Sequence, residues 1–241
     1  MICNLGVAYL RGRVEISSGE GTQRMTIAGR TALATTLGLA AGAWIITLRQ
    51  LHGMDMGVAT QLGRFAFFVA MWAVMMAAMM LPGLAPAVLT RARTNGAVRA
   101  VVPFVASYLV VWTLVGALIY ALYRPHGTSA AGLIVMAAGL YELTRLKQHC
   151  RACCRARTRS GFTFGFYCVG SSIGLMVMLV ALGAMSLTWM LVIAALVLLQ
   201  KLLPAKPAID VPVALAIIAL GVLIIAAPAL VPGLMPSMGM M

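Results

Sequence analysis

Seven apolar stretches divide this chain of 241 residues, at about 31–48, 65–89, 98–123, 130–144, 162–185, 187–203 and 211–231. A helix crossing the bilayer core takes about 20 predominantly apolar residues, and in hydrocarbon only helices and closed barrels satisfy their own backbone. The pattern predicts an all-α fold, a polytopic transmembrane helix bundle of six or seven crossings, because the fourth and sixth stretches are short. Between the fifth and sixth almost no loop is left around Ser186–Thr188, which predicts a tight helical hairpin. The chain is 62% hydrophobic and 10% charged, against an apolar share of roughly 45–50% in soluble domains. Those proportions exclude a disordered chain and point to lipid as the solvent of the folded state.

A formal net charge of +13 would ordinarily direct attention to nucleic acid. Here the Lys and Arg residues fall in short clusters between the apolar stretches, where membrane proteins keep their topology signals. With a cytoplasmic N-terminus, only Arg49, Arg64 and Arg124 lie outside, leaving 15 of the 18 basic residues inside. The chain therefore reads as N-in and C-out, with membrane lipid as its surroundings and no nucleic-acid partner. Residues 1–30 have no apolar run of signal-peptide length and read as a cytoplasmic extension. Residues 31–235 form the membrane domain, and 236–241 are a Met-rich outer tail.

Little in this chain supports acid–base catalysis. It has five acidic residues, Glu15, Glu20, Asp55, Glu142 and Asp210, of which Asp55 and Glu142 lie nearest the apolar core. Its histidines, His52, His126 and His149, are scattered. Paired carboxylates with separated pKa values are missing, so no enzyme is expected. No phosphate-cradling glycine motif occurs, and the Gly38–Gly42 spacing reads as helix packing.

Methionine is in excess, with 18 residues. Met71, Met75 and Met79 recur at i, i+4 and i+8 with Met76 and Met80 in a parallel row, and such positions stack on a helix face. His52, Met54, Asp55 and Met56 precede that helix, and Met238 and Met240 lie in the tail, on the same outer side by the topology above. Thioether sulfur suits Cu(I) and withstands an oxidising compartment. The helical strip has two readings, gap-filling core or ligand row, and both stay open.

The thiols fall on the inner side. Cys150, Cys153 and Cys154 occupy the most basic loop, and Cys168 lies early in the fifth stretch. A C-x-x-C pair in a reducing compartment points to a metal or redox element, against the alternative of incidental surface thiols in an orienting Arg cluster. Glu142 pairs by default with Arg145 at i, i+3, although a carboxylate at membrane depth is also a functional candidate. Trp72, Tyr108, Trp112, Tyr141 and Trp189 read as interface or packing aromatics. Pro82 and Pro86 are expected to kink or end the second helix.

The run Met71-Trp72-Ala73-Val74-Met75-Met76-Ala77-Ala78-Met79-Met80-Leu81-Pro82, followed by Pro86, resembles a bacterial family of predicted metal-binding integral membrane proteins. This domain of unknown function has members often labelled copper chaperones. The resemblance continues through Tyr141, Thr144, Lys147, Cys150 and Cys153, through Gly165, Tyr167, Cys168 and Gly170, and through Gly183, Met185, Leu187, Trp189 and Met190. Gly53-Met54-Asp55-Met56 is similar to the family's outer loop, so the likeness spans about residues 52–203. In the family's pattern further cysteines often follow the position of Cys168, where this chain has Ser171 and Ser172. An acidic residue is also common before the position of Lys201, where it has Gln200.

The resemblance implies a metal, copper, in the bacterial inner membrane. The expectation is a multi-pass protein that binds Cu(I) and delivers it to a copper-accepting protein. Capture would occur at His52, Met54, Asp55, Met56, Met238 and Met240, with Met71, Met75, Met76, Met79 and Met80 as route or buried site and Cys150, Cys153 and Cys168 as inner terminus. The alternative is an accessory or assembly subunit of a membrane enzyme complex, such as a copper-dependent oxidase or monooxygenase.

Overall fold

A computed structural model describes residues 27–51, 63–95, 101–155, 160–183, 186–203, 207–228 and 231. Among these every regular element is a helix. In chain order they are α1 Ile27–Leu51, α2 Phe65–Asn95, α3 Val101–Leu122, α4 Thr128–Glu142, α5 Arg145–Arg155, α6 Gly161–Gly183, α7 Leu187–Leu202 and α8 Pro207–Ala226.

Four helical segments are long and apolar enough to cross a membrane: Gly29–Gln50, Phe65–Thr90, Val101–Leu122 and Gly161–Gly183. Three more, Thr128–Glu142, Leu187–Leu202 and Asp210–Ala226, are apolar but shorter. The seven apolar stretches are thus all helical, and four have the length of a span. Many large apolar side chains face outward, Leu39, Leu114, Leu118, Leu122 and Phe166 among them, while Glu142, Lys147, Arg151 and Asp210 are buried. Such an exterior is compatible with membrane insertion, since soluble monomers rarely expose apolar patches of that extent.

One element lies where the sequence reading places a loop. Residues 145–155 form the amphipathic helix α5, whose buried positions Lys147, Cys150 and Arg151 and half-buried Cys154 follow the i, i+3, i+4, i+7 spacing of one helical face. Pro82 and Pro86 likewise stand inside α2, which continues beyond them to Asn95.

The packing centre is α2, α3, α6 and α7. Helix α2 contacts α3 and α7, α6 contacts α3 and α7, α1 lies against α2, and α4 and α5 pack on α6, with α8 against α4. Helix α1 presents a buried seam of Ala32, Thr36, Ala40, Ala43 and Thr47, whose threonine hydroxyls donate to Ala32 O and Ala43 O. Gly38 and Gly42 instead face open space, where an added Cβ would meet nothing within 4 Å. The close crossing lies elsewhere, between α4 and α8. There an added Cβ at Gly132 would stand 2.9 Å from Gly221 O, and one at Gly221 would stand 2.8 Å from Gly132 O.

At the other side of the core, Trp72 fills a notch at Gly116, where an added Cβ would overlap the indole ring. Its indole N–H donates to Trp112 O at 2.9 Å. Trp72→Phe keeps most of the aromatic packing and removes this bond, so a loss of about 1 kcal/mol is expected. It would be read as a lower thermal denaturation midpoint in detergent. The hairpin between α6 and α7 follows expectation. Gly183 closes α6 at φ 112°, a region open to glycine, Ser186 N–H donates to Gly183 O at 3.0 Å, and α7 starts at Leu187.

Candidate metal site

The methionine strip of α2 is core. Met71, Met75, Met76, Met79 and Met80 are all buried, together with Trp72, Tyr108, Trp112 and Cys168. Met80 differs from the rest of the row in its surroundings. The Lys201 ammonium, from the last turn of α7, donates to Met80 Sδ at 3.4 Å and to Tyr108 Oη at 3.5 Å. It also lies 5.9 Å from the centroid of the Tyr108 ring. The Tyr108 hydroxyl in turn hydrogen-bonds Cys168 Sγ at 3.2 Å. Tyr108 and Cys168 have no exposed surface at all.

Helix α5 brings a second thiol to this point. Cys154 is hydrogen-bonded to the Cys168 side chain and lies beside the Ser171 hydroxyl, with its sulfur 4.0 Å from Phe164 O. Phe164 and Cys168 are successive turns of one face of α6. The hydrogen bond to Cys168, followed by burial, holds the Cys154 thiol far above its usual range. The resulting chain of contacts runs Met80, Lys201, Tyr108, Cys168, Cys154, with one thioether and two thiols inside the protein.

Of the cysteines expected at an inner site, Cys168 belongs to this chain of contacts. Cys150 is a free thiol packed on α6, where an added Cβ at Gly170 would be 2.6 Å from its sulfur; burial pushes its thiol up. Cys153 is disulfide-bonded, and its sulfur is 3.5 Å from His149 Nε2 one turn away. His52, Met54, Asp55, Met56, Met238 and Met240, with residues 1–26 of the N-terminal extension, lie outside the described residues. Among the described residues no group of three His, Cys, Asp or Glu side chains gathers at metal-binding spacing. The Met80 thioether is linked to the Cys168 thiol through the Lys201 ammonium and the Tyr108 hydroxyl.

Beside this cluster lies a buried ionic network, and here the expected Glu142–Arg145 pair is corrected. Glu142 Oε2 pairs with the Lys147 ammonium and accepts from Gln200 Nε2 at 2.6 Å, while Lys147 also donates to Gln200 Oε1 at 2.9 Å. Arg145 is exposed. The chain turns after α4, with Thr144 N–H donating to Tyr141 O, which carries Lys147 of α5 back over the carboxylate. Arg151, on the same face of α5, pairs with Asp210 of α8 at 2.5 Å and donates to Gln200 O and Leu203 O. Glu142 is consequently joined by Asp210 as a second buried carboxylate, although the position of Asp210 in the sequence sets it apart from the core. Two cations face two anions, as buried charges require. Burial lowers the Lys147 ammonium, and Glu142 opposes that shift.

Sequence reasoning passes over Tyr108 and Lys201 as site residues, and it leaves Cys154 out of the ligand set. Reading 145–155 on a helical wheel would place Cys154 with Cys150, Lys147 and Arg151. Tyr108 and Lys201 carry no such signal, because their role rests on contacts 93 residues apart in the chain.

A family model described as PpoB2, copper chaperone, matches residues 69–224. That span contains Met80, Tyr108, Cys154, Cys168 and Lys201, and excludes the segments at 52–56 and 238–241. No curated protein and no solved structure matches the chain.

Proposed function

This chain belongs to the PpoB2 copper chaperone family, and from that premise we propose that it is an integral membrane protein binding Cu(I) for delivery to a copper-accepting protein. The observation that carries the reading is the chain of contacts that links Met80, through Lys201 and Tyr108, to Cys168 and Cys154 within the family's matched region. Thiolate and thioether are the soft donors that select Cu(I), and the buried, water-poor surroundings disfavour harder, strongly hydrated cations. The Ser171 hydroxyl stands beside Cys154, where a family member with a cysteine would add a third thiol.

In this proposal all seven apolar helices sit in the bacterial inner membrane, the shorter ones completing the bundle, with the N-terminus inside. The sulfur site then lies towards the cytoplasmic end, beside α5. Met54, Asp55, Met56 and the tail around Met238 and Met240 collect copper on the outer side. The buried Met71–Met80 strip joins the two ends.

Copper quantification and X-ray absorption on purified protein test the reading. The wild-type chain is expected to hold one Cu(I) with sulfur-only coordination. The Cys154→Ser/Cys168→Ser variant should lose that copper, while Met54→Leu/Met56→Leu retains it. Full retention of sulfur-bound copper by the double serine variant would move the site out of the core.

A further inference from the structure

We propose that Arg151 is the positioning residue of the sulfur cluster, setting the rotation and depth of α5 so that Cys154 meets Cys168. The inference rests on the reading of these two cysteines as copper ligands and adds what brings one to the other.

The two thiols belong to unlike elements. Cys168 is part of α6, which is long and apolar enough to cross a membrane. Cys154 rides on α5, whose aliphatic side chains, Leu146 and Ala152, are both exposed. Aliphatic burial therefore does not seat this helix, and its buried charged positions are Lys147 and Arg151. Lys147 holds Glu142 and Gln200 through an ammonium, a point charge whose donors rotate. Arg151 carries a planar fork whose donors are fixed relative to one another, so its contacts specify orientation as well as attachment.

The acceptors for that fork are prepared by the sequence. In an α-helix the carbonyl of residue i takes the N–H of residue i+4. For Gln200 and Leu203 that residue is Pro204 and Pro207, and proline has no N–H to give. Arg151 supplies the donors instead, with Nε to Gln200 O at 2.8 Å and Nη2 to Leu203 O at 3.1 Å, while Nη1 pairs with Asp210 Oδ1 at 2.5 Å. Three nitrogens of one rigid plane thus meet three acceptors at the end of α7 and the start of α8, which a lysine cannot reproduce. Cys154 follows Arg151 by three residues, on the same face of α5. Its sulfur lands 4.0 Å from Phe164 O and against the Cys168 side chain.

Disulfide trapping on the full-length, copper-free protein in detergent tests this, in a Cys3→Ser/Cys150→Ser/Cys153→Ser background that leaves Cys154 and Cys168 as the two thiols. Diamide takes up both S–H hydrogens and becomes the hydrazine as the S–S bond forms, and peptide mass spectrometry follows the rate. Arg151→Lys keeps the charge and loses the fork, and is expected to slow closure by on the order of tenfold, as for one lost charge-assisted hydrogen bond. Asp210→Asn keeps an Oδ1 acceptor for Nη1 and is expected to stay within about threefold of the background. Both substitutions lower the denaturation midpoint, so an Arg151 that only stabilised the fold would lower the midpoint and leave the rate alone. If Arg151→Lys does not fold, Asp210→Ala takes its place, since it removes one of the three acceptors and slows closure in the same direction. An unchanged rate in the folded variant, or no closure in the background chain, overturns the proposal. Titration with Cu(I) against a colorimetric chelator runs beside it on wild type and Cys168→Ser. Closure that depends on Arg151, in a protein whose Cu(I) binding does not require Cys168, overturns the copper reading and leaves the positioning of Cys154.

Discussion

Glu142→Ala is expected to destabilise the protein by about 3–5 kcal/mol, the usual cost of removing one partner from a buried ion pair. The loss is not that of a single contact. Glu142 Oε2 holds both the Lys147 ammonium and the Gln200 amide, so alanine strands a buried cation and an amide donor together. Lys147 already sits below the ordinary lysine range because burial disfavours its charge, with Glu142 working against that shift. Without the carboxylate it falls further.

The direction of the pH dependence follows from linkage. A lysine whose folded pKa lies below its unfolded value binds fewer protons folded than unfolded in the window between the two. Stability rises with pH across that window. Glu142→Ala widens the window downward, so the variant should gain stability with rising pH more steeply than wild type and suffer most at low pH. Denaturation midpoints in detergent across a pH series measure this. The double variant Glu142→Gln/Lys147→Met should recover most of the loss, because a neutral pair of similar volume removes the stranded charge. Equal losses in the single and double variants would show that packing around the pair outweighs its charge.

The second large effect is expected at the α4–α8 crossing. Gly221→Leu places a branched side chain where a single Cβ already meets Gly132 O at 2.8 Å and Met136 N at 2.9 Å. Those neighbours are backbone atoms, which cannot swing aside as a side-chain end can, so the helices must separate. Overpacking of this kind costs about 1–3 kcal/mol and occasionally more, and the upper end applies when two backbones are forced apart. Helix α8 also carries Asp210, the partner of Arg151, so separation strains the ionic network as well. Gly38→Ala is the matched control. It meets nothing within 4 Å and gains helix propensity of up to about 1 kcal/mol over glycine. A fall in midpoint for Gly221→Leu with none for Gly38→Ala would locate the tight crossing at α4–α8.

The contrast between those two glycines shows how far sequence reading reaches. Gly38 and Gly42 have the spacing of a packing motif, yet the seam of α1 runs through Ala32, Thr36, Ala40, Ala43 and Thr47. An apolar helix in an apolar surround has little amphipathic asymmetry, so its sequence does not announce which face meets a neighbour. The same ambiguity attends the methionine strip, whose residues prove uniformly buried, with Met80 in contact with Lys201. Arg145 and Lys147 are both within reach of Glu142 along the chain, and the turn between α4 and α5 selects Lys147.

Local information was sufficient for the rest. Runs of apolar residues predict helices because backbone facing hydrocarbon would have to bond to itself, and the structure has a helix in each of the seven stretches. The MW-x-x-MM-x-x-MM-x-P run and its cysteine spacings carry the family. Tertiary structure decided the buried sulfur cluster. Met80, Tyr108, Cys154, Cys168 and Lys201 come from five different helices, and their meeting depends on the rotation and depth of each helix against the others. Those quantities are set by the summed packing of many side chains and by notches such as Gly116, which no periodicity along the chain encodes.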